Sequence, residues 1–339
     1  TYLASLINYP LTNKFYVDPS RTDTYSATGS LNKPFKSVSS ALTYIHAGID
    51  NSSITSPDVN PIFVVLKGST TESFTLSRGH IFLVGEDGNE YTNIGVNGTI
   101  TINGSNNSTS ALDSNYFVVS GLSINAGTNN VCIQTSGANA QSVFVKDISI
   151  YASGTGTGIY ANNSGVRVSD GKSSFIQGSD VRVNHTGTGD VYCFNVVKGN
   201  AIFSQVETIN TATQIGAVQD GASLKFVNSQ LQSNGNTCVE SYGTGLLTVF
   251  NSSIINTQIT ANSYGIWLHN VGSTAVLDQC YFDVRDTTHS GSRAVKGVSG
   301  SILSYSNLSF AANSTLGSTN NLLDTAVTYN LLTNSFTRV

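Results

Sequence analysis

The side chains best suited to chemistry lie in the last third of the chain. Asp283-Val284-Arg285-Asp286 is followed by His289, Arg293 and Lys296. Alternate residues of an extended strand share a face, so Asp283 and Arg285 are expected side by side. Acids, a histidine and cations gathered in this way suit saccharide binding or lysis, and equally a solvated loop with weak ion pairs. The second group is Trp267 and His269, within Gly265-Ile266-Trp267-Leu268-His269. Two residues apart, they share one face and leave the other to Ile266 and Leu268. An outward Trp offers a ring face to a sugar; the plainer reading is an edge aromatic packed under a loop. Trp267, His269, Asp283, Arg285, Asp286, His289 and Arg293 are therefore the candidate ligand-binding residues. No catalytic set and no metal set is predicted.

Acids elsewhere do not gather. Asp147, Asp180 and Asp278, with Asn251, fall near a repeated phrase described below, where most neighbours are Ser, Asn or Gln. Asp170, Asp180 and Asp190 stand at regular tens without a common register. Cys132, Cys193, Cys238 and Cys280 show no metal-ligand spacing and sit among apolar neighbours, which predicts four small buried thiols. No cofactor is expected.

Only 11% of the 339 residues are charged, less than half of the roughly 25% usual for a soluble domain. Ser, Thr, Asn and 32 Gly take their place, yet 39% of the chain is hydrophobic, enough for a core. The net charge of −4 and the lack of any Lys/Arg run argue against a nucleic-acid or anionic-membrane partner. No run of 18 apolar residues is present, so no membrane insertion is expected. The chain opens at Thr1 without Met or a secretory leader, which suggests processing or a longer parent. Sequons recur, at Asn51, Asn97, Asn103, Asn106, Asn107, Asn162, Asn184, Asn251, Asn307 and Asn313; in an Asn- and Ser-rich chain many arise by chance, and in a secretory or large-virus setting some could carry glycans.

Helical periodicity is confined to residues 34–47. Phe35, Val38, Ala41, Leu42 and Ile45 fall on one face, Pro34 suits a first turn and Gly48 a stop. After Asn60 the chain turns to short β runs, among them Ile62–Leu66, His80–Val84 and Thr99–Ile102, each ended by Gly, Asn or Ser. From residue 117 a phrase recurs: two apolar residues, a small polar one, any residue, then mixed apolar. Val118-Val119-Ser120-Gly121-Leu122, Phe144-Val145-Lys146-Asp147-Ile148 and Val276-Leu277-Asp278-Gln279-Cys280 are examples. The mean spacing is about 27 residues, a solenoid period. Hairpin cadence is missing and no helix fits between phrases, which leaves coils of about three strands, each strand pairing with its equivalent one period on. The predicted fold is all-β: a right-handed parallel β-helix of about eleven or twelve coils with an N-terminal capping helix. Residues 1–60 form the opening segment and cap, 61–315 the β-helix, and 316–339 a C-terminal cap or tail. Neutral outward Ser, Thr and Asn avoid the repulsion of like charges stacked about 4.8 Å apart and can bond along the stack.

The opening phrase Phe15-Tyr16-Val17-Asp18-Pro19-Ser20-Arg21, then Gly29-Ser30, then Lys33-Pro34-Phe35-Lys36-Ser37-Val38, resembles that of pectate-lyase-like β-helix proteins, and Ile62 to Gly85 resembles their first coils. Such openings are common in virion proteins of phages and large DNA viruses, including tail spikes, fibres and surface appendages. The resemblance implies a virion-surface structural protein that contacts other virion structural proteins, binds a host receptor or surface glycan, and forms a possible homotrimer. It also admits a polysaccharide lyase or depolymerase. A secreted bacterial adhesin or surface-layer component is a third reading, with an extracellular or cell-surface location. Lyases of the family need a calcium-binding carboxylate cluster and a basic residue. Its hydrolases carry Asn-Thr-Asp and Gly-His-Gly runs, absent here. That departure argues against hydrolysis, and the role expected is a non-catalytic one, with a polysaccharide lyase or depolymerase as the alternative.

Overall fold

The computed structural model describes residues 13–55, 61–87, 94–103, 116–137, 141–163, 175–187, 191–209, 214–259, 262–285, 292–311, 328–331 and 336–338. The chain winds as a parallel β-helix. Strand-to-strand pairings run parallel, each strand meeting its equivalent in the next coil. Among the described residues eight coils carry strands on all three faces: 81–102, 116–137, 142–163, 175–198, 200–218, 223–241, 246–268 and 274–297, here coils 1 to 8. That is fewer than the eleven or twelve expected, because the rungs at both ends are partial. Among the described strands Lys14–Val17 pairs with Ile62–Leu66, and the last rungs, 302–310 and 328–338, add strands to the first two faces alone. Of the stretch 316–339 expected as a cap or tail, residues 328–331 and 336–338 form these added strands, and the others fall outside the described residues.

The repeated phrase marks a corner between the first and second faces. At this corner Gly121, Asp147, Asp180, Gln205, Asn228, Asn251, Gln279 and Asn307 adopt positive φ of 45° to 64°. L-residues reach that region at a steric cost that Gly avoids and that Asn and Asp best tolerate, so the composition of this position follows from the bend itself. In coils 2 to 5 the strand runs around the corner without a break, as in Tyr116–Thr128. Side chains bond along the stack as expected: Asn251 Nδ2 donates to Asn228 Oδ1 at 2.8 Å, and the Ser229 amide to Ser252 Oγ at 3.0 Å.

Inside, one column runs Val64, Leu83, Val119, Val145, Gly178, Phe203, Phe226, Val249, Leu277, Tyr305 through successive strands. Burial of each large member stabilises the fold by about 1.5–3 kcal/mol. Gly178 makes room for a neighbour: a Cβ there would stand 2.4 Å from the Phe203 ring, which packs against Phe194 at 4.5 Å between centroids. All four cysteines are buried free thiols, as expected. Burial pushes Cys132 up to about 11 and Cys280 to about 12, so neither is a thiolate at neutral pH.

The helix spans Val38–Asp50, later than expected. The Phe35 amide donates to Tyr16 O and its carbonyl accepts from Asp18 N, both at 2.8 Å, so this backbone is held by the first strand and cannot begin a helix. Ser37 caps instead, its side chain accepting from Ser40 N. Gly48 does not stop the helix; it is buried where a Cβ would fall 2.4 Å from Ile54 Cδ1. The expected apolar face, from Phe35 to Ile45, joins the core. Glu72, between the strands Ile62–Leu66 and Phe74–Leu76, accepts from Val38 N at 2.6 Å and Ser39 N at 3.1 Å. It ties the helix N-terminus to the stack by charge as well as packing.

Candidate functional site

The nine-stranded third face aligns outward residues of coils 6, 7 and 8. Glu240 pairs with Trp267 and Trp267 with Lys296. On either side of this row stand aromatic residues. The rings of Tyr242 and His269 stack at 4.2 Å and those of His269 and Trp267 at 3.8 Å. Lys296 Nζ lies 4.2 Å from the Trp267 ring centroid and 4.3 Å from that of Tyr264, and donates to Tyr264 Oη at 3.0 Å. The ammonium is thus held by aromatic faces, an attraction worth about 0.5–2 kcal/mol.

Glu240 anchors the group. It is 3% exposed, and its carboxylate accepts from Tyr242 Oη at 2.5 Å and Tyr192 Oη at 3.0 Å. His269 Nε2 stands 3.5 Å from it, an ion-pair distance longer than a good hydrogen bond. Burial alone would raise the Glu240 pKa. His269 and the two hydroxyls outweigh burial and hold it below the ordinary carboxylate range. Burial, then the Glu240 charge, pushes the Tyr192 hydroxyl far up, so it stays a donor.

The expected faces of the Tyr264–Leu268 strand are present: Ile266 and Leu268 are buried in the core, and Trp267 and His269 meet outside it. The Trp267 ring, however, already packs against His269 and Lys296. The cluster expected from Asp283 to Lys296 divides. Asp283 and Arg285 do lie side by side, Arg285 Nε donating to Asp283 Oδ2 at 2.8 Å, on the second face. The Arg285 side chain is 55% exposed, so the pair contributes little. Arg293 lies on the third face opposite Tyr264, with Nη1 donating to Ser292 O. Lys296 belongs with Trp267. Asp286 and His289 fall outside the described residues.

Glu240, Tyr192 and Tyr242 escaped the sequence reading. One signal was available: Glu240 is the one acid in Thr237-Cys238-Val239-Glu240-Ser241, a strand buried throughout, and a buried charge needs partners. Those partners could not be named, because Tyr192 is 48 residues away in sequence. Among the described residues no three His, Cys, Asp or Glu side chains gather closely enough to hold a metal ion.

No protein-family model matches the chain, and no curated protein matches it. Solved structures do. The crystal structure of pectate lyase Pel9A superposes with a TM-score of 0.53 at 15% identity, over 96% of this chain and 80% of that one. Pectin methylesterase PemA from Erwinia chrysanthemi aligns over 97% of this chain and 93% of its own at 11% identity, with a TM-score of 0.35. The protein therefore has a pectate-lyase-like parallel β-helix fold.

Proposed function

We propose that this protein is a rigid, non-catalytic β-helix displayed on a virion surface, as a fibre, spike or capsid-associated appendage, where it sits among other virion structural proteins and contacts host glycan. The opening phrase, the low charge of the skin and the continuous interior column support a structural rod. The observation that carries the non-catalytic reading is the state of Glu240. A glycosidase acid needs a raised pKa and a second facing carboxylate. Glu240 is enclosed, triply partnered and held ionised, which disfavours both proton donation and proton abstraction. Self-association as a homotrimer belongs to the same reading.

The test is proteomics and immunogold labelling of purified particles, with light scattering for the expected three copies of a 35.7 kDa chain. Label on the particle surface is expected. Absence from particles would overturn the location. A lyase or depolymerase is the second reading, favoured by the fold shared with a pectate lyase. Release of unsaturated oligosaccharides or new reducing ends from host or algal polysaccharide would establish it in place of the first.

A further inference from the structure

The second face carries an open concavity between coils 3 and 4. Ser149 and Tyr151 from coil 3 face Arg182 and Asn184 from coil 4, paired Ser149–Arg182 and Tyr151–Asn184. These residues, with Ile150, line a hollow of about 110 Å³. Several water molecules fit such a space, and so does one face of a single sugar ring. Tyr151 is 42% exposed, large for an aromatic residue, and Asn184 Oδ1 is buried with no hydrogen-bond partner. An unsatisfied buried acceptor is costly and calls for a donor. In the next coil Glu207 pairs with Arg182, at 3.6 Å, with side chains 51% and 34% exposed.

The geometry points to a saccharide subsite here, deepening the glycan contact proposed above and resting on it. Three features select the ligand class. Tyr151 offers an open ring to the C–H face of a pyranose. Asn184 and Glu207 accept hydrogen bonds while Arg182 donates them, a mixture that matches hydroxyl groups, which do both. The Arg182 charge is opposed by Glu207, so the patch carries no net charge to attract an anion. The ligand is therefore a neutral hexose unit of a longer chain, lying across the rungs at Tyr151.

The experiment is saturation-transfer NMR and calorimetry of the full chain with neutral hexasaccharides of the gluco-, manno- and galacto- series. At least one should bind. Tyr151→Ala should weaken it at least tenfold, Tyr151→Phe should retain it, and Arg182→Ala should weaken it several-fold, all with unchanged circular dichroism. Binding that survives Tyr151→Ala but is lost in Trp267→Ala would overturn this subsite and leave the glycan reading standing. Failure of every probe to bind would overturn the subsite even if particle labelling succeeds.

Discussion

Trp267 and Tyr151 are both aromatic residues on the outer surface of the same stack, and their surroundings make them opposites. Trp267 stands in a column closed by His269 and Lys296, over a carboxylate that is 3% exposed. Tyr151 is 42% exposed beside a hollow lined by Ser149, Arg182 and Asn184. In a β-helix the neighbours of an outward side chain come from the coils before and after it. Whether an aromatic ring is enclosed or left open is decided by residues 27 to 33 positions away.

The contrast is most directly broken at Glu240. Glu240→Ala removes the acceptor of two tyrosine hydroxyls and the partner of His269, and should cost about 3 kcal/mol in urea unfolding. A loss below about 0.5 kcal/mol would show that the third-face network is not structural. Trp267→Ala should cost about 2 kcal/mol, less than full core truncation because the ring is only part-buried. Trp267 is the one tryptophan in the chain, so its emission should be shifted to the blue and poorly quenched by acrylamide; a fully solvent-like spectrum would contradict the closed column.

Acid titration sharpens the comparison further. The folded Glu240 pKa lies below its ordinary value of 4.5. Its contribution to stability is then complete above about pH 4.5 and is lost as pH falls through the lower, folded value. Glu72, lowered despite burial by Ser39, Thr70 and the helix amides, adds in the same direction. Thermal stability should thus fall below about pH 4.5, and less steeply in Glu240→Gln; an identical slope in that variant would remove Glu240 from the account. The smallest expected effect on stability is at the open site, where Tyr151→Ala should change unfolding by no more than about 0.5 kcal/mol.

Much of the architecture was legible because it rests on short-range rules. The corner phrase could be found since two apolar residues followed by a small polar one recur where each strand leaves the core for the bend, and its recurrence measured the coil. The capping face from Phe35 to Ile45 could be found since helical spacing puts those residues together. The helix start was misjudged because Phe35 is held by Tyr16 and Asp18, and the count of complete coils because partial rungs at the ends carry the same strand pattern. The expected charged cluster misled for a related reason: closeness in sequence from Asp283 to Lys296 does not mean a shared face, and the two ends of that stretch lie on different sides of the rod.

Sequence alone determined that this chain coils about every 27 residues, buries an apolar column and its four thiols, and clothes itself in neutral polar side chains, since each follows from the local preferences of a few neighbouring residues. Register was left to the tertiary structure. The corner residues lie 23 to 33 positions apart, so turn lengths vary from coil to coil and only the folded stack sets Tyr192 and Tyr242 on Glu240, closes Lys296 over Trp267 and leaves Tyr151 open.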